Sequence, residues 1–405
     1  MKQILFVDDE PLVLQGLQRM LFSMRREWDM RFATGAEEAL RLLAETPADV
    51  VVSDMRMPKM NGAQFLNEVM QRHPRAVRVI LSGFSDQEMI MQCVGGTHQF
   101  LTKPCDGETL RNTVCRALEM DSWLNNNQLK ALVSKMGALP SLPSLYFDIM
   151  RELGSPETTL DVVGATIAQD PGMTAKILQL VNSAFFGLRR RITDPTEAVL
   201  QLGLDTIKSL VLGLHIFSEF EQHQAGPLAP EEIWRHSLAT GATARRIATL
   251  ERQETVVVEE SFTAGLLHDI GRLVLVVNLP DQYRAALAVA ERDGIPLIEA
   301  ERAAFGACHP EIGAYLLGLW GLPISLVEAA AYHHEPLLCP NREFSPLTTV
   351  HVANALQYEQ AADANPVLAA RLDQEYLAGM GLWDRVDTWR QKPAATDAAE
   401  KVKGA

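Results

Sequence analysis

Along the first 120 residues, short apolar runs alternate with stretches in which apolar residues recur every three or four positions. Ile4-Leu5-Phe6-Val7 leads into a helical pattern that reaches Arg26, and the runs Val50-Val51-Val52 and Val79-Ile80-Leu81 follow later. Each run closes on polar or acidic residues. This is βα alternation, and it predicts a parallel sheet buried on both faces by helices. Such sheets place functional groups at the carboxyl ends of their strands. Thr109 to Met136 carries few helix breakers, so the last helix of this region is predicted to run on toward Gly137. After Leu139-Pro140-Ser141-Leu142-Pro143 the pattern changes to successive amphipathic segments with Leu, Ala and Ile at helical spacing, which predicts an all-helical second part. Gly226-Pro227 and Gly294-Ile295-Pro296 punctuate those helices, and Lys392–Ala405 is small and polar enough for a disordered tail.

Composition narrows the class without changing the layout. A chain of 405 residues exceeds one compact core, so at least two domains are expected. Its 47% hydrophobic and 22% charged residues are ordinary for globular proteins. No apolar run is long enough to cross a bilayer, and the N-terminus lacks a secretory pattern, so a cytoplasmic protein without membrane contact is expected. The formal net charge is −14, and acidic residues outnumber basic ones both in residues 1–121 and in the remainder. Neither part offers a basic footprint, so direct DNA binding is not expected. The five cysteines, Cys93, Cys105, Cys115, Cys308 and Cys339, are widely spaced without a Cys-x-x-Cys pair and read as reduced thiols.

The acidic residues at strand ends carry the first candidate chemistry. Asp8 and Asp9 end the first run and Asp54 ends the run after Val50, so a parallel sheet gathers three carboxylates at one edge, a hard-oxygen site for Mg²⁺. Phosphoryl transfer to a carboxylate needs such a cation and one carboxylate free to act as nucleophile, a role that Asp54 can take. Ser82 and Lys103 follow two further predicted strands and add a hydroxyl and an ammonium. A single acidic residue after a strand is usually a turn former; five matched positions argue otherwise.

Residues 2–120 resemble a response-regulator receiver domain, with Asp8-Asp9, Asp54-Met55-Arg56-Met57-Pro58, Asn61-Gly62, Ser82-Gly83 and Lys103-Pro104 in order. The resemblance implies a flavodoxin-like five-stranded parallel sheet and phosphorylation of Asp54 by a histidine kinase. It implies Mg²⁺ held by Asp9, Asp54 and the carbonyl of Arg56 with Asp8 assisting, Ser82 and Phe100 as a switch pair, Lys103 as the phosphate partner, and a cis bond at Lys103-Pro104. Gly95-Gly96-Thr97-His98 departs from the plainer Gly-Ala turn of the family.

The helical part is notable for its histidines. His236, His268-Asp269, His309 and His333-His334 stand at positions a metal site could use. An isolated histidine on an amphipathic helix is usually structural or solvated. The adjacent pair His268-Asp269, in the apolar segment Ala264–Gly271, needs coordination or hydrogen bonds to be buried. Imidazole and carboxylate ligands suit Fe, Mn or Zn, and a bridged pair of such ions can generate hydroxide for phosphodiester hydrolysis. Asp170-Pro171 and Asn182-Ser183 suit caps and turns, Phe185-Phe186 suits core packing, and Arg189-Arg190-Arg191 suits a solvated turn.

Residues 138–360 resemble the HDOD family, related to the HD and HD-GYP phosphohydrolases. The motifs are Leu139–Pro143, Asp170–Thr174, Asn182–Gly187, Leu202-Gly203-Leu204, Trp234–Ser237, Gly265–Gly271, His309–Gly313 and His333-His334. Carried over, the HD-GYP ligand set is His236, His268, Asp269, His309, His333 and His334, with Asn354 where a final aspartate is expected. Pro336–Pro340 stands in place of the Gly-Tyr-Pro signature, and His351 lies three residues before Asn354 as a possible substitute ligand or a structural histidine. The organisation expected is a receiver domain at 1–121, a helical connector at 122–137, an all-helical HD-like output domain at 138–391 and a tail at 392–405. Three readings follow: an output module acting through contacts with itself, with a second copy in a homodimer or with another signalling protein; a receiver-gated metal-dependent phosphodiesterase acting on a cyclic dinucleotide such as cyclic di-GMP; or a pocket that binds a nucleotide without hydrolysing it.

Overall fold

A computed structural model of the chain describes residues 1–82, 97–120, 126–134, 149, 152, 158–182, 191–203, 207, 230–360 and 367–391. Five strands, β1 (Lys2–Val7), β2 (Trp28–Ala33), β3 (Val50–Asp54), β4 (Val77–Ser82) and β5 (Gln99–Thr102), form one parallel sheet in the order β2-β1-β3-β4-β5. The apolar runs form its centre: Ile4 to Phe6, Val50, Val51, Val79 and Ile80 are fully buried. Helices α1 (Pro11–Met20), α2 (Ala36–Glu45), α3 (Gly62–Arg72) and α4 (Gly107–Met120) accompany the strands. This is the flavodoxin-like fold. Asn61 starts α3 with a reciprocal capping box, accepting from Gln64 N at 2.9 Å while Gln64 Oε1 accepts from Asn61 N at 3.1 Å. The next residue has to be glycine, because a Cβ on Gly62 would lie 2.1 Å from the carbonyl oxygen of Asp54.

The helix predicted to run on from Thr109 is two helices. After α4, the helix α5 (Asn127–Ser134) starts afresh, because the Asn126 side chain accepts from the N–H groups of Gln128 and Leu129 at 2.9 and 3.2 Å. The second part is helical, as expected: α6 (Leu160–Ile167), α7 (Pro171–Val181), α8 (Pro195–Leu202), α9 (Pro230–Leu250), α10 (Thr255–Leu267), α11 (Ile270–Asn278), α12 (Pro280–Asp293), α13 (Leu297–Phe305), α14 (His309–Leu319), α15 (Ile324–Tyr332), α16 (Pro346–Gln360), α17 (Gln374–Gly379) and α18 (Val386–Arg390). Asp170 caps α7 through Met173 N at 2.9 Å. Asn182 clamps Ile192, accepting from its N–H at 2.7 Å and donating to its carbonyl at 2.6 Å. Arg191 is exposed and donates to the Gly321 carbonyl. Leu139–Pro143, Phe185-Phe186, Arg189-Arg190, Gly226-Pro227, Gly95-Gly96 and Lys392–Ala405 lie outside the described residues.

The two parts pack together along β5 and α4. Helix α14 lies against α4 and α5, the Gln99 side chain donates to the Leu319 carbonyl at 3.2 Å, and Arg116 donates to that of Leu322. Gln179 of α7 donates to the His98 carbonyl at 2.9 Å. Buried Arg78 reaches the Ser134 carbonyl, and His98 accepts the Arg78 backbone N–H at 3.1 Å. Burial first, and the Arg78 charge second, hold His98 well below its ordinary pKa, so its ring stays neutral. Gly62→Ala would overpack the end of β3 and should destabilise the sheet domain by about 1–3 kcal/mol, read as a lower denaturant midpoint. An unchanged midpoint would show that the contact with Asp54 relaxes freely.

Candidate functional site

Two centres emerge, one at the carboxyl edge of the sheet and one among the helices. At the sheet edge Asp8 and Asp54 are buried carboxylates with 2% and 7% exposure, Asp9 is half-buried beside them, and Lys103 reaches both. Lys103 Nζ lies 2.7 Å from Asp8 Oδ2 and 2.5 Å from Asp54 Oδ1, across a cis Lys103-Pro104 bond. Asp54 Oδ2 accepts the Arg56 N–H at 2.9 Å. Burial pushes the Asp54 carboxyl above its usual range, Lys103 opposes this, and Asp8 adds to it. For Lys103, burial alone would lower the pKa, but Asp54 and Asp8 outweigh it and hold the ammonium above its ordinary value. Ser82 is fully buried and its hydroxyl has no hydrogen-bond partner, while Phe100 is buried on the adjacent strand. The all-oxygen donor set of three carboxylates and the Arg56 carbonyl fits a hard cation such as Mg²⁺.

The helical centre is assembled from helix ends. His268 follows the last residue of α10, Asp269 precedes α11, His309 begins α14 and His333 follows α15. The His268-Asp269 pair therefore sits between two helices, not within one. His268 Nδ1 bonds the Gly265 carbonyl at 2.7 Å and His333 Nδ1 that of Ala330 at 2.9 Å, each using a last-turn carbonyl without a helical partner. Both rings thereby present Nε2 without a proton. His309 Nδ1 and N lie 2.7 and 2.8 Å from Glu301 Oε2.

Asp269 Oδ1 is 3.2 Å from His309 Nε2, 3.6 Å from His333 Nε2 and 3.7 Å from His268 Nε2, and none of these four buried atoms has a hydrogen-bond partner. Asp269, His309, His333 and His334 offer ligand atoms within 4.8 Å of one another, as do His236, His268 and Asp269. Burial alone would raise the Asp269 carboxyl, but His268 and Arg272 hold it well below the usual range. Burial lowers His236 to about 4 and drives His268 and His334 well down. His309 goes the other way: burial lowers it, yet Glu301 and Asp269 raise it to about 9. Imidazoles around a carboxylate are the donor set of a transition-metal site, and the buried atoms without partners fit that use.

Of the residues expected here, the structure brings together His268, Asp269, His309, His333 and His334. His236 and Asn354 are near but occupied with each other, Nε2 to Oδ1 at 2.9 Å. His351 is structural: Nδ1 bonds the His333 carbonyl at 2.8 Å and Nε2 accepts the Asp373 N–H at 2.9 Å. Sequence reasoning missed Glu301 and Arg272. Arg272 NH1 holds Asp269 Oδ2 at 2.7 Å. Its position three residues after Asp269 was the available signal; Glu301, on a different helix, offered none. The cavity over the centre, lined by His309, His334, Asn354, Tyr358 and the segment around Val367 among others, measures about 40 Å³.

Comparison with known proteins matches both parts of the chain. Residues 4–115 match the model of the response regulator receiver domain and residues 139–336 that of the HDOD domain. An uncharacterized protein of Treponema pallidum (strain Nichols) is 28% identical over 225 residues, 55% of this chain and 43% of that protein. The hydrogenase transcriptional regulatory protein HoxA of Cupriavidus necator is 37% identical over 118 residues, 29% of this chain and 24% of that one. The chain thus spans less than half the length of these relatives. The crystal structure of the MmoQ response regulator from Methylococcus capsulatus str. Bath aligns over 63% of this chain and 98% of that one, at 24% identity and a TM-score of 0.48.

Replacing Glu301 by alanine would leave the buried His309 N–H and Nδ1 without their acceptor. A loss of about 2–4 kcal/mol is expected in chemical denaturation, and wild-type stability would show that Glu301 does not anchor α14.

Proposed function

Because the chain joins a response regulator receiver domain to an HDOD domain, we propose that Asp54 accepts a phosphoryl group from a histidine kinase and that the helical domain answers by changing its contacts. In the transfer, an Asp54 carboxylate oxygen attacks the phosphorus of the kinase phosphohistidine. The O–P bond forms as the P–N bond breaks, and the electron pair returns to the leaving imidazole. Bound Mg²⁺, held by Asp8, Asp9, Asp54 and the Arg56 carbonyl, would supply charge neutralisation for the phosphoryl oxygens. Lys103, now shared between Asp8 and Asp54, pairs with the new phosphate, and the unpartnered Ser82 hydroxyl donates to it.

The observation that carries this reading is the position of α14. Its carboxyl end meets the receiver through Gln99 and Arg116, and its first residue is His309 of the helical centre. Strand β5 links the two events, since Lys103 follows its last residue and Gln99 is its first. Phosphate adds nearly two negative charges at one end of that strand, and Phe100 lies between them. The cavity favours contacts over hydrolysis or capture of a nucleotide, because about 40 Å³ is far below the roughly 300–1,000 Å³ of small-molecule sites.

Labelling by acetyl phosphate should be abolished in Asp54→Asn and strongly reduced in Lys103→Ala. Phosphorylated wild type should also show altered hydrogen exchange across residues 309–319 that Asp54→Asn lacks. Labelling retained in Asp54→Asn would refute the acceptor, and unaltered exchange in fully phosphorylated protein would refute transmission through α14.

A further inference from the structure

The HD-GYP-like ligand set implies a pair of metal ions bridged by Asp269, but the two oxygens of that carboxylate are not equivalent here. Oδ2 is taken by the Arg272 guanidinium at 2.7 Å. Arg272 is itself fixed, with Nε 3.3 Å from the Tyr283 hydroxyl and NH1 3.4 Å from that of Tyr358. A buried arginine in a salt bridge keeps its charge, so Oδ2 already carries a full positive partner. On the same side His236 Nε2 is engaged by Asn354 Oδ1, and a neutral amide supplies no charge to hold a second cation.

Oδ1 faces the opposite situation. His309 Nε2 and His333 Nε2 approach it to 3.2 and 3.6 Å, with no hydrogen bond formed. The Nδ1 atoms of both rings are spent on Glu301 and on the Ala330 carbonyl, so Nε2 is the ligand atom each ring turns toward the same carboxylate oxygen. Three buried ligand atoms converge there without a hydrogen bond among them, which is the arrangement a shared cation satisfies. Donors about 2.0–2.1 Å from a zinc-like ion stand roughly 3.3 Å apart around a tetrahedron, which is close to the spacing observed. His334 completes a set of four, and Glu301 behind His309 is the carboxylate partner that orients metal-binding imidazoles.

We infer that the helical domain holds one divalent transition cation on Asp269, His309, His333 and His334, with Arg272 standing where a second cation would draw on Oδ2. The ion ties the starts of α11 and α14 to the end of α15. It serves as a structural staple rather than the paired-ion centre of a hydrolase. This assignment is independent of phosphorylation at Asp54.

The full chain, purified without chelator and reconstituted with Zn²⁺ or Mn²⁺, should contain one equivalent of metal by plasma mass spectrometry. His334→Ala and His309→Gln should lose it, whereas His236→Ala should keep it. Chelation should lower the melting temperature of wild type and of His236→Ala, and leave that of His334→Ala unchanged. Two equivalents in wild type, loss of the metal in His236→Ala, or wild type that takes up neither ion while fully folded would each overturn the assignment. If His334→Ala fails to fold, wild-type stoichiometry and His236→Ala still decide.

Discussion

Where α11 crosses α14, a Cβ on Gly271 would lie 2.0 Å from the carbonyl oxygen of His309 and 2.8 Å from the backbone nitrogen of Gly313. Only glycine permits that approach, and it places the first residue of α14 against the start of α11, where Asp269 stands. With the two helices so close, the imidazole of His309 lies between Asp269 and Glu301. The other end of α14 then falls on β5 and α4 of the receiver. A single helix crossing thus sets both the geometry of the imidazole cluster and the seat of the receiver domain.

The two centres solve the same electrostatic problem with different groups. Each buries a carboxylate that could not stay charged alone, and each supplies one fixed cation from the chain: Lys103 for Asp54 and Asp8, Arg272 for Asp269. At the sheet edge the remaining donors are oxygens and a partly exposed lysine, an arrangement open to a phosphoryl group. Among the helices the remaining donors are imidazoles and the space is small, with Leu297 N–H bonded to the Val367 carbonyl at 3.0 Å beside the cavity.

Sequence reasoning reached most of the receiver because its logic is local. A parallel sheet must align the ends of neighbouring strands, so Asp8, Asp54, Ser82 and Lys103 could be assigned to one edge from the runs that precede them. Strand β2 was not singled out, since its half-exposed Asp29 to Phe32 segment lacks the continuous apolar run of the central strands. The helix start at Asn126 is not legible in the sequence, because an asparagine within a helix-compatible stretch marks a start only where its side chain accepts the N–H groups that follow it.

In the helical part the sequence alone determined that histidines and one aspartate had to be satisfied in apolar surroundings, because their burial follows from the hydrophobic pattern around them. Which of them meet was decided only by tertiary structure. Residues 236, 269, 301, 309, 333 and 354 lie on, or at the ends of, separate helices, and no periodicity along one helix encodes the crossing of another. Glu301 behind His309, Arg272 on the second oxygen of Asp269 and Asn354 against His236 emerge from packing, and they separate a place for one ion from a place for two.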